Sequence, residues 1–222
     1  MSAFLALLTR DVSLAFRSGG TLGTVLGFYL VIVALMPLGL GPDLALLSRI
    51  APGILWIGLM LAALLSLPRM LEADAEDGSL EVLAMGALPL EGVVAAKALA
   101  HWLTTALPLG LIALPLGMML NLDIAAYPAL ALSLLLGTPA ISFIGAIGAS
   151  LTLRARAGGL LVALLILPLY IPTLIFGMST MAAVITPPGS FGASLLILSA
   201  ISLAAVALSP LAAAAALRAQ MQ

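Results

Sequence analysis

Six of the nine acidic residues, Glu72, Asp74, Glu76, Asp77, Glu81 and Glu91, fall in one stretch, EADAEDGSLEVLAMGALPLEGVVAAK, from Glu72 to Lys97. Carboxylates at this density can cap a helix or serve as charge partners for a docking molecule. The sequence on either side is long, apolar and almost uncharged. Unpaired charges in hydrocarbon cost several kcal/mol each, so the stretch must face water as a platform.

Other chemistry is poorly supplied. There is no cysteine, which excludes disulfides, thiolate metal sites and cysteine nucleophiles. A metalloprotease needs paired histidines, and the chain has one, His101. His101 lies beside Trp102 in AKALAHWL and reads as an interfacial anchor or helix-packing residue. A pH-responsive role and a haem or metal ligand are lesser alternatives. Asp43 and Asp123 fall between apolar runs and read as loop residues. No acid sits at the middle of an apolar run, which argues against a proton relay or a cation-coupled carrier. The phosphate-binding pattern G-x-x-x-x-G-K-[ST] is absent, so the chain does not bind ATP in that way. No catalytic residue, metal site or directly bound cofactor is expected.

The elements that position the platform follow from composition. The 222 residues are 64% hydrophobic and 8% charged, against roughly 25% charged in soluble domains. With mean hydropathy +1.30, the fold class is an all-α polytopic membrane protein. Barrel strands would alternate polar and apolar residues, and these runs do not. At roughly 20 residues per crossing, spans are predicted near Leu22–Leu40, Ile50–Leu71, Leu99–Leu120, Pro128–Leu151, Leu160–Met178 and Ala193–Leu217. The result is a single transmembrane domain over 1–222, with six helices.

Residues 1–20 do not resemble a cleaved signal peptide, because Arg10 and Asp11 interrupt a short apolar piece with no basic start. They read as an amphipathic interfacial helix ended by Gly19 and Gly20. Phe4, Leu5, Leu8, Val12, Ala15 and Phe16 share one arc, with Arg10, Ser13 and Arg17 opposite, near anionic headgroups. An alternative reading makes this the first turns of a tilted first span. Arg10, Arg17, Arg69, Lys97, Arg154, Arg156 and Arg218 fall on one side of six spans, leaving Arg49 on the other. The positive-inside rule therefore puts both termini and the platform in the cytoplasm.

Within the spans, Pro168 and Pro172 in LPLYIPTLIFG form a candidate hinge. Ser142, Ala146 and Ser150 recur every fourth residue beside Gly145 and Ala149, a pattern for close helix packing or, less readily, a substrate path. In the platform, Asp77-Gly78-Ser79 is a breaker and cap cluster, with Asp77 or Ser79 able to accept from free amides of a helix over Leu80–Met85. Gly86 suits its stop and Pro89 restarts the chain. Residues 72–98 thus form a short helix on an elbow, suited to transmitting force from a soluble partner. An inert hydrophilic loop is the other reading.

The run EADAEDGSLEVLAMGALPLEGVVAAKALAHWL resembles the CcmB family, the permease subunit of the cytochrome c maturation ABC transporter. LLTRDVSLAFRSGG, LLLGTPAISFIGAIGASLTLRARAGGLLVALLILPLYIPTLIFG and LSPLAAAAALR are also similar to it, so the likeness spans the chain. Asp74, Asp77, Gly78, Leu80 and Glu81 match the family's D-x-x-D-G-x-L-E pattern. The resemblance implies an ABC-2-type permease fold with a cytoplasmic coupling helix, in the bacterial inner membrane. It also implies partners: an ATPase subunit, CcmA, a haem-handling subunit, CcmC, a small subunit, CcmD, and a second copy of the chain, besides membrane lipid. ATP and haem would then be held on partner subunits, and no nucleic acid is involved. The expected ATPase-coupling residues are Asp74, Asp77, Gly78, Ser79, Leu80, Glu81 and Leu83, with Leu80 and Leu83 as apolar plugs and Asp74 and Glu81 as charge partners. The partner family's W-G-x-x-W-x-W-D haem signature is absent. The function implied is coupling of ATP hydrolysis to haem delivery or release from a haem chaperone at the periplasmic side. Export of haem or another apolar substrate, or a membrane scaffold without an ATPase, are the alternatives.

Overall fold

Apolar runs with no charged interruption close their backbone hydrogen bonds internally, and in lipid only helices and closed barrels do so. The computed structural model describes residues 2–18, 20–154, 158–186 and 189–221. Six helical stretches are long and apolar enough to cross a membrane: Gly20–Leu40, Leu44–Glu76, Leu90–Met119, Ile124–Thr152, Gly159–Ile185 and Phe191–Gln220. The chain is therefore an all-helical polytopic membrane protein. The elements in order are α1 (Ala3–Ser18), α2 (Gly20–Leu40), α3 (Leu44–Leu64), α4 (Arg69–Glu76), α5 (Ser79–Ala84), α6 (Leu90–His101), α7 (Leu107–Met119), α8 (Tyr127–Thr152), α9 (Gly158–Ile185) and α10 (Phe191–Met221).

Several ends differ from expectation for identifiable reasons. Asp43 caps α3 by accepting the Leu46 amide at 2.9 Å, so the helix starts early and Arg49 lies within it rather than in a loop. The second span is not straight-through. Pro68 disfavours helical backbone at the residue before it, and α3 stops at Leu64 before α4 resumes at Arg69. In the third span Trp102–Ala106 forms a π-turn joining α6 to α7. Pro108, which has no N–H to give, comes two residues after it, and the wider turn accommodates it. α9 runs through Pro168 and Pro172 without interruption.

The core centres on α8, which packs against α9, α10, α6 and α7. Ser142, Ala146 and Ser150 are fully buried and Ala149 nearly so, confirming the packing reading of that stripe. Gly145 admits Leu67 and Tyr170, and Gly148 admits Ile166. The Trp56 indole lies in a slot walled by Gly137 and Gly177, where any Cβ would overlap the ring. Tyr29 donates to the Leu55 carbonyl at 2.9 Å and Tyr170 to that of Ile141 at 2.6 Å, so both buried hydroxyls are satisfied.

Candidate functional site

The acidic stretch folds as a bent support carrying a short helix. α4 ends at Glu76 with Asp77 as its C-cap, and Gly78 follows with φ +77°, a left-handed backbone that glycine adopts without a Cβ penalty. Asp77 Oδ1 accepts the Ser79 amide at 2.8 Å. Of the two predicted caps Asp77 serves, and Ser79 supplies the donor. Hydrogen bonding from Ser79, side chain and then backbone, holds the Asp77 carboxyl below the usual carboxylate range. α5 is short, Gly86 follows it, and Pro89 in extended conformation opens α6.

Beneath this support lies an ion quartet. Arg10 donates from Nε to Asp11 at 2.9 Å and from Nη2 to both oxygens of Asp74 at 2.7 and 2.8 Å. Lys97 donates to Asp11 at 3.1 Å and also to Asp74. The Lys97 side chain is only 3% exposed, and these two carboxylates are its partners. Burial alone would lower the Arg10 pKa, but the bonds and charges of Asp11 and Asp74 outweigh it and hold the guanidinium above its ordinary value. The quartet joins α1, α4 and α6. It also rotates α1 from its predicted pose: Leu7 is buried and Phe4 packs on the core, while Leu5 and Phe16 face outward. Arg10 and Asp11 turn toward the protein because Lys97 and Asp74 need partners there, so Arg10 spends Nε and Nη2 within the protein. Gly19, the expected stop of α1, lies outside the described residues, and Gly20 opens α2.

The two faces of α5 differ. Leu80 is 1% exposed and belongs to the chain's own core, with Leu83 half-buried against it. Val82 and Met85 are 67% and 81% exposed. Beside α5 a groove of about 450 Å³ runs between Glu72, Glu76 and Glu81 on one side and Arg154 and Leu217 on the other. Its walls are tied by Arg218 to Glu91 at 2.6 Å and by Gln220 to the Ser150 carbonyl at 2.8 Å.

Residues 2–220 match the model of the family described as "CcmB protein". The chain belongs to the CcmB family. It is 55% identical to "Heme exporter protein B" of Paracoccus denitrificans over 98% of this chain and 99% of that one. It is 54% identical to the protein of that name in Bradyrhizobium diazoefficiens, over 98% of each chain. Against the Escherichia coli K12 protein of that name the identity is 42%, over 99% of each chain.

In this CcmB-family chain the predicted coupling residues divide by exposure. Asp77, Gly78 and Glu81 are exposed and available to a partner, and Ser79 is half-buried. Asp74 is 7% exposed and pairs with Arg10 and Lys97, so it holds α1 to the support instead of meeting an outside charge. Leu80 plugs inward, not outward. Sequence reasoning missed Val82 and Met85 as the outward apolar pair, and missed Arg10, Asp11 and Lys97 as a unit. A signal existed for Lys97: a lone cation leading into an apolar span calls for a carboxylate. His101 is buried, with Ser66 Oγ 2.8 Å from Nε2 and Ser142 Oγ 2.9 Å from Nδ1. Ser66 also donates to the Ala63 carbonyl at 2.8 Å, so its oxygen accepts from Nε2–H and Nδ1 accepts from Ser142. His101 is thus a helix-packing residue tying the second, third and fourth spans. Arg10, Arg17, Arg69, Lys97, Arg154 and Arg218 all lie at the elbow end of the bundle, and Arg156 lies outside the described residues.

Proposed function

We propose that this chain is the membrane subunit of an ABC complex of cytochrome c maturation, with an ABC-2-type permease fold and no catalytic residues of its own. A separate ATPase subunit, CcmA, docks on the outer face of α5, and its ATP-driven motion tilts the attached spans. That motion serves haem delivery to, or release from, a haem chaperone on the opposite side of the bacterial inner membrane. ATP sits on the ATPase and haem on partner subunits; CcmC, CcmD and a second copy of the chain complete the assembly. The membership of the family and the name "Heme exporter protein B" carried by the relatives support the haem-related role. The clustering of basic residues supports an elbow end in the cytoplasm, with both termini there.

One observation carries the coupling role. Val82 and Met85 stand exposed on a helix whose other face, through Leu80, is locked into the core. An apolar pair on a water-facing acidic tip is the composition of a small docking spot, and its rigid base passes displacement to the second and third spans. Aspartate and glutamate around it suit a basic rim on the partner.

The test uses the purified complex. Val82→Glu/Met85→Glu is expected to reduce co-purification of the ATPase at least tenfold while the chain still inserts. Asp77→Ala/Glu81→Ala is expected to weaken it less. ATP hydrolysis and haem delivery to c-type cytochromes fall with it. Full retention of the ATPase by both double variants overturns the docking assignment and favours a scaffold whose acidic stretch is a solvated loop.

A further inference from the structure

A cavity of about 660 Å³ lies between α1, the start of α2, α4 and the π-turn of the third span. Its size falls within the roughly 300–1,000 Å³ of small-molecule sites. It adjoins the groove beside α5 and shares Glu72 and Glu76 with it. Its lining is mixed: Asp11, Asp74 and Lys97 belong to the quartet, and Glu76 and Asp77 add two exposed carboxylates. Arg69 and Glu72, three residues apart on α4, both line it, and they do not pair with each other although that spacing permits it. Arg69 uses Nη1 on the Thr21 hydroxyl, and its other donors have no partner among the described residues. Arg10 spends Nε and Nη2 in the quartet, and its Nη1 has no partner among the described residues. The Glu72 carboxylate has no hydrogen-bond partner among the described residues. Deeper in, Thr105 is 6% exposed, lines the cavity, and its hydroxyl has no partner among the described residues. Leu14 and Phe16, which also line the cavity, are 52% and 61% exposed.

A ligand that satisfies all of these carries an anion, a hydrogen-bond-donating cation within one helical turn of it, a polar linker and an apolar tail. We propose that this cavity is a binding site for one aminophospholipid of the adjoining leaflet, an ethanolamine phosphate diester. Its phosphate sits on Arg69 with the free edge of Arg10. Its ammonium, a short two-carbon arm away, reaches Glu72, one turn along α4 at about 1.5 Å rise per residue. The glycerol esters accept from Thr105, and the acyl chains leave past Leu14 and Phe16. Guanidinium is suited to phosphate through its planar fork of donors. The ammonium selects against choline, because a quaternary nitrogen has no N–H to give a carboxylate. The same headgroup exists as free phosphoethanolamine, so recognition of the head and use of the lipid are separable.

Native mass spectrometry of the full chain, released from detergent with equal amounts of phosphatidylethanolamine, phosphatidylcholine and phosphatidylglycerol, tests the site. Retention of one phosphatidylethanolamine per chain, about tenfold over the other two, is expected. Arg69→Gln and Glu72→Gln should each abolish that preference, and Arg49→Gln, at the opposite end, should preserve it. Both tested side chains reach solvent, and circular dichroism checks helix content; Thr105→Val, volume-conserving, gives an independent arm and should weaken retention severalfold. Equal retention of the choline lipid, preference for phosphatidylglycerol, or an ethanolamine preference that survives both Arg69→Gln and Glu72→Gln overturns the proposal. So does binding of soluble phosphoethanolamine as tight as that of the lipid, which would make the apolar exit irrelevant.

Discussion

The middle of the bundle and its elbow end are held together by different physics. Around Trp56 nothing is charged, and the helices approach because Gly137 and Gly177 leave room for the indole. In lipid the solvent is as apolar as the side chains, so close van der Waals contact replaces the hydrophobic effect as the cohesive term. At the elbow end the same chain relies on Arg10, Asp11, Asp74 and Lys97, four charges from three helices. Charges bind α1 there because the site lies at the water boundary, where desolvation is partial. The middle therefore resists added volume and tolerates no void, while the elbow end resists changes of charge and tolerates changes of shape.

The comparison breaks most sharply at Lys97. Lys97→Met leaves Asp11 and Asp74 sharing Arg10, an uncompensated negative charge in a largely buried site. Removing one partner of such a set costs about 3–5 kcal/mol, read as a shift of the unfolding midpoint in mixed micelles. Adding Asp74→Asn restores a neutral Arg10–Asp11 pair and should recover most of that loss, because the two changes couple through one network. Equal destabilisation by the single and the double variant would show that Lys97 matters for packing alone.

In the middle, the corresponding break is steric. Gly177→Ala puts a methyl onto the face of the Trp56 ring, against Cε2, with Gly137 also against the indole. Overpacking of this kind costs about 1–3 kcal/mol, and Trp56 fluorescence should shift as the ring is displaced. Gly78→Ala sharpens the contrast from the elbow side. No atom lies near a Cβ built on Gly78, but its φ of +77° is left-handed, so the cost is purely conformational. About 1–2 kcal/mol is expected, with Gly78→Asn costing less because asparagine tolerates that region. If Gly78→Asn were as damaging as Gly78→Ala, crowding rather than backbone would be the cause.

How much of this was legible in the sequence depended on the range of the interactions. The spans were readable because length, apolar continuity and the siting of arginines are one-dimensional properties. The elbow was readable as punctuation, since Asp77-Gly78-Ser79 and Pro89 act on their immediate neighbours. The quartet was not, because Lys97 meets Asp11 from 86 residues away. The outward pair was hidden for another reason. On a helix of 6 residues the burial of Leu80 rather than Val82 or Met85 is set by where the turn at Gly78 aims it, not by periodicity. Arg49 was misplaced because the cap at Asp43 pulled the helix start forward past it.

The smallest effect concerns that same turn. Asp77 accepts the Ser79 amide best as a carboxylate, and its pKa is depressed by hydrogen bonding from Ser79. A depressed carboxyl contributes stability that is fully present above its unfolded pKa, near about 3.9, and is lost as pH falls through the lower folded value. Protection of the Ser79 amide against hydrogen exchange, corrected for intrinsic rate, should therefore be flat at neutral pH and decline only below the ordinary aspartate range. Asp77→Asn keeps an acceptor oxygen, so the turn should persist with the pH dependence removed. A decline centred at or above the ordinary value would mean that the carboxylate is not engaged by Ser79. The elbow would then depend for its shape on Gly78 and the buried quartet alone.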